Sequence, residues 1–136
     1  MTAPWRTARV VWTALVVSLA LYLVVLASVV GTPAPGEPAP PSGLRHLFML
    51  LALGNIGGVW VLRQRLPLVE PPPSAVSDPR TMLGVYVACW ALSEAVALYG
   101  LVVGLVARSF GEAQPFFIVG TGLLLWQRPR ARHFGA

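Results

Sequence analysis

Residues 10–30, "VVWTALVVSLALYLVVLASVV", carry no charge over 21 positions, and no other feature limits the possible folds as strongly. At about 1.5 Å per residue a helix of that length covers the roughly 30 Å of a bilayer's hydrocarbon core. The composition follows the same line, with 56% hydrophobic and only 11% charged residues, against roughly 25% charged in a soluble domain. Arg6 and Arg9 before the run resemble the basic start of a signal peptide. The run exceeds the 7 to 15 residues or so of a signal core, and "ASVVG" is a poor cleavage site, so the segment is expected to stay as a helix.

Three further apolar runs follow. Residues 31–43, "GTPAPGEPAPPSG", contain five prolines and three glycines, end the first helix and read as an extended connector. Apolar character returns over residues 44–62, with Asn55 inside the run. Residues 63–79 form a second proline-rich connector, ending in Asp78 as a helix cap and Pro79 as a first helical residue. A long third helix is expected over residues 80–107 and a short fourth over 114–127, opened by Pro115. The expected fold is therefore all-α, one membrane domain over residues 1–136 built as a bundle of four transmembrane helices.

The arginines give that bundle a direction. With four spans both termini share a side with the 63–79 connector, and Arg6, Arg9, Arg63, Arg65, Arg80, Arg128, Arg130 and Arg132 fall there. Only Arg45 and Arg108 fall on the other side, so the positive-inside rule makes both termini cytoplasmic. Trp12, Trp60 and Trp126 then sit near the cytoplasmic interface, where indoles prefer to lie. All ten basic residues are arginine, a usage typical of GC-rich bacterial genomes, and the expected location is a bacterial inner membrane. The absence of lysine excludes a Schiff-base or phosphate-loop lysine. The net charge of +5 is spread over helix ends rather than gathered on a soluble face, which argues against nucleic acid as a partner.

One residue breaks the apolar pattern. Glu94 stands at the middle of the third helix, where a charged side chain costs about 2.5 to 3.5 kcal/mol on insertion scales, and the surrounding Leu and Val offset that cost. An acid at that depth is a candidate ion-binding group by default. Ser93, Ala97, Gly100 and Gly104 form a neighbouring stripe, with Gly100 and Gly104 as a small-xxx-small pair suited to close helix packing or self-association. At similar depth Asn55, Thr121, Ser18 and Tyr22 are candidate hydrogen-bond partners for the acid.

The segment over residues 90–105, "WALSEAVALYGLVVGL", resembles the carboxylate-bearing helix of rotary ATP synthase subunit c proteolipids. That resemblance implies an acid which binds a translocated proton or cation, a role that falls by position on Glu94 alone. It covers this one segment and does not extend to the other helices or the connectors.

The remaining chemistry is sparse. His46, Cys89 and His133 are expected at three different depths, so no metal site and no cofactor is expected. Ser93 and Glu94 are adjacent and point about 100° apart, with no histidine at their depth, so they make no nucleophile and base pair. The chain thus reads as non-catalytic, an accessory or assembly protein whose partners are the bilayer and other membrane subunits. The alternative is a protein that translocates a proton or cation through Glu94.

Overall fold

The computed structural model describes residues 3–30, 42–64 and 79–130. Among these the chain is wholly helical: α1 is Ala3–Val29, α2 is Ser42–Gln64, α3 is Pro79–Ala107 and α4 is Phe110–Trp126. Three of the four, α1, α2 and α3, are long and apolar enough to cross a membrane. Residues 31–41 and 65–78 of the two proline-rich connectors, with Asp78 and the Pro71–Pro73 run, lie outside the described residues, as do Arg132 and His133, while residues 42–43 and 63–64 belong to α2 and Pro79 opens α3.

All four helices extend beyond their expected runs, α2 by two residues at each end and α3 by Pro79 alone, α1 and α4 by more. α1 begins at Ala3 rather than at Val10, because Pro4 suits a first turn and helical hydrogen bonding continues past the point where side chains become polar. α4 begins at Phe110, so Pro115 lies inside it and not at its start. The amide that Pro115 lacks would have paired with the carbonyl of Gly111, in an exposed turn where water can serve instead. A tight link joins α3 to α4. Ser109 N donates to Gly104 O at 3.1 Å and Arg108 N donates to Leu105 O at 3.4 Å, while Arg108 takes a positive φ of 47°. This pair of bonds is the Schellman closure, with arginine in the left-handed position that glycine usually fills.

α3 is the central helix. It packs against α4 over most of its length, and also against α2 and α1, while α1 touches α4 over a shorter stretch. Of its apolar window 44% is buried inside the molecule, against 11% for α1 and for α2. Three stripes of α3 serve the three neighbours. Ser93, Ala97 and Gly100 face α4, and Gly104 sits between α4 and α1, where an added Cβ would lie 2.8 Å from Ala113 Cβ and 2.7 Å from Leu26 Cδ1; a Cβ added at Gly100 would lie 2.7 Å from Phe116 Cβ and 3.0 Å from Ala113 O. Gly120 returns the contact, since a Cβ there would lie 3.0 Å from Ala97 N and from Ser93 O. Val96, Tyr99 and Val103 form a second core with Ala52 and Phe48 of α2 and Phe116 of α4. Trp90, Leu101 and Leu105 join Ala8, Leu19 and Leu26 of α1 in the main core.

Outside these stripes the molecule is apolar to its edge. Val10, Val17, Leu21 and Val24 of α1, and Leu47, Leu50, Leu53 and Trp60 of α2, are exposed. A water-soluble surface would collapse or aggregate through patches of this kind, whereas hydrocarbon solvates them. Along their middles α2 and α4 leave between them an apolar cleft of about 210 Å3 lined by Met49, Leu53, Ile56 and Val119.

Candidate functional site around Glu94

Glu94 stands one residue past the middle of α3, on the face that α1 covers. Its Oε1 accepts two hydrogen bonds, from Ser18 Oγ at 2.8 Å and from Tyr22 OH at 2.8 Å. Ser18 and Tyr22 are four apart on α1, so a single helical face presents both hydroxyls to one oxygen. All three side chains are partly buried. Ser18 Oγ also lies 2.7 Å from the carbonyl of Leu15, one turn back. Two hydroxyl protons therefore serve three contacts. Either Ser18 shares its proton between Leu15 and Glu94, or the carboxyl carries a proton that completes the set.

Asn55 and Thr121 do not join this cluster. Asn55 Nδ2 donates to Tyr99 OH at 3.3 Å and to Leu92 O at 3.4 Å, on the α2 side of α3. α4, which carries Thr121, packs on the Ser93 face, turned about 100° from Glu94. Depth had put these residues level with the acid, but helix packing turns them to other faces.

The Ser93 face carries a second polar cluster. Ser93 is fully buried, and its Oγ donates to Cys89 O at 2.8 Å while accepting from Gln127 Nε2 at 3.0 Å. Trp90 Nε1 donates to the backbone carbonyl of Gln127 and Trp12 Nε1 to that of Leu124, each at 3.0 Å. Two indoles thus close carbonyls at the end of α4, which its own helix cannot satisfy. Gln127 was not singled out in the sequence because it stands beside Arg128 and looks interfacial. The signal that marks it is spacing: Ala113, Gly120, Leu124 and Gln127 recur on one face of α4, and all are buried.

Charge is gathered at the two ends of the bundle. At one end Arg63 stacks on Trp126, 3.3 Å from the ring centre, and Arg9, Arg128 and Arg130 lie close by. At the other, Arg45 pairs with Glu112 at 3.0 Å. Cys89 is buried in the core, and among the described residues no three His, Cys, Asp or Glu side chains lie together.

No protein-family model, curated protein or solved structure matches the chain.

Proposed function

We propose that this is a non-catalytic multi-pass protein of a bacterial cytoplasmic membrane, an accessory or assembly protein with four spans and both termini cytoplasmic. The observation that carries this reading is the closure of the Glu94 cluster: both donors to the acid come from the chain's own α1. A carboxyl bonded in this way fixes one helix against another at a depth where water offers no competing partner. α4, at 17 residues, is about 26 Å long and serves as the fourth span beside α3. The gathering of Arg9, Arg63, Arg128 and Arg130 at one end supports the orientation.

A second reading rests on the proton count. Three contacts with two hydroxyl protons leave room for a third proton on Glu94, and the resemblance to subunit c proteolipids supports an acid that takes up and releases a proton or cation. Reconstitution in liposomes separates the two. On the structural reading Glu94→Gln leaves proton flux unchanged, lowers the melting temperature, and weakens any subunit that co-purifies in mild detergent. Proton flux that carbodiimide modification of Glu94 abolishes, and that Glu94→Gln also lacks, would establish the transport reading instead.

A further inference from the structure

At the arginine-rich end of the bundle, a cavity of about 660 Å3 opens between the start of α1 and the segment that follows α4. Arg9, Arg128 and Arg130 line it together with Trp5, Trp12 and Trp126. Among the described residues no carboxylate lines it, so three guanidinium groups share one concavity. Arg63, stacked on the Trp126 ring, stands beside the cavity without lining it, and Arg130 is near enough to act on it electrostatically. Nη1 of Arg63 is moreover buried with no hydrogen-bond partner. An anion with several acceptor oxygens could pair with guanidinium groups gathered in this way.

Two further observations select the kind of anion. A shallow groove lined by Arg6, Val10, Thr13 and Ala14 adjoins the cavity, shares Arg9 with it and continues along α1. Beyond it the surface of α1 is apolar, with Val17, Leu21 and Val24 exposed. A ligand with a phosphate at one end and a hydrocarbon chain at the other fits both features, and the indoles mark the depth at which a headgroup meets acyl chains.

We propose that this end of the molecule binds the phosphate headgroup of an anionic phospholipid, held by Arg9, Arg128 and Arg130, with an acyl chain laid along the Val10, Thr13 and Ala14 groove of α1. The site is remote from Glu94 and does not depend on the role of that acid.

The test uses the delipidated full chain in neutral detergent, with bound lipid counted by native mass spectrometry. Diacyl phosphatidylglycerol is expected to bind at least about tenfold more tightly than phosphatidylcholine of the same chains, because each arginine near a headgroup contributes about a factor of five. Arg9→Gln and the double variant Arg128→Gln/Arg130→Gln each remove most of that preference with helical content unchanged, whereas Arg45→Gln at the opposite end keeps it. Inorganic phosphate at equal concentration does not displace the lipid. Equal binding of the two lipids, or an equal loss in Arg45→Gln, would overturn the site. Displacement by inorganic phosphate at matched concentration would assign the cavity to a soluble anion and overturn the lipid.

Discussion

The hydroxyls of Ser18 and Tyr22 matter because they meet one oxygen of one acid at a depth where nothing else competes for it. Interhelical hydrogen bonds within membranes average about 0.6 kcal/mol and reach about 1.7, so neither alone decides whether the chain folds. Tyr22→Phe removes one donor with little change of shape and is expected to cost about 0.5 to 1.5 kcal/mol. Unfolding in mixed micelles would measure it. The informative quantity is the coupling: in a Glu94→Ala background the same Tyr22→Phe change should cost almost nothing, and an undiminished cost would show that the tyrosine acts through packing instead. Ser18→Ala should couple more weakly, since Ser18 also bonds the Leu15 carbonyl of its own helix. The place of Glu94 at the middle of α3 was legible from the sequence, because it follows from counting residues along a helix. Its partners were not, because Asn55, Thr121, Ser18 and Tyr22 are level with it and only the packing of whole helices selects among them.

That selection is made by small residues. α3 is apolar all round, and in a bilayer both lipid and neighbouring helices accept apolar faces, so hydrophobic periodicity does not reveal which side a partner takes. The stripe of Ser93, Ala97, Gly100 and Gly104 is visible as a pattern, but the sequence does not say which helix meets it. α4 meets it because Gly120 answers from the other side, bringing backbone within 3.0 Å of where a side chain would begin. Gly100→Ala places a methyl group against Phe116 Cβ and the Ala113 carbonyl, neither of which can swing away. A cost of about 1 to 3 kcal/mol is expected for that overpacking, with the α3–α4 pair pushed apart. Gly54 of α2 is the matched control, with nothing within 4 Å of an added Cβ. There alanine should be neutral or should stabilise by up to about 1 kcal/mol through helix propensity. Equal melting temperatures for the two variants would mean that Gly100 does not set the α3–α4 distance. Helix existence was legible in the same run lengths that define the spans. The start of α1 at Ala3 and of α4 at Phe110 was not, since hydrogen bonding carries a helix through polar residues that hydropathy counts as loop.

The whole molecule is best understood as a tight α3–α4 hairpin with two less buried helices laid against it. α1 is tied on by the Glu94 cluster, by the Trp12 bond to Leu124 and by the Leu19 and Leu26 core. α2 is held through Ala52, Asn55 and Phe48 along its middle, where an apolar cleft separates it from α4, and at its two ends by Arg45 on Glu112 and Arg63 on Trp126 of α4. This arrangement makes the path of α4 decisive for topology. The bond from Trp90 to the Gln127 carbonyl and the approach of Gly104 to Ala113 fix its two ends about 14 residues apart along α3, a rise of roughly 21 Å. On the proposed four-span reading a helix so matched to its neighbour crosses the same layer rather than turning back within it, which would put both chain ends on the arginine-rich side. Cysteine accessibility in intact cells tests this once the buried Cys89 is replaced by alanine. Ser109→Cys, in the α3–α4 link, should react with a membrane-impermeant maleimide from outside. Cysteines placed at Thr2 and Ala136 should react only after the cells are opened. A cysteine at Ala136 that labels in intact cells, with Thr2 still protected, would mean that α4 does not cross and that the chain has three spans.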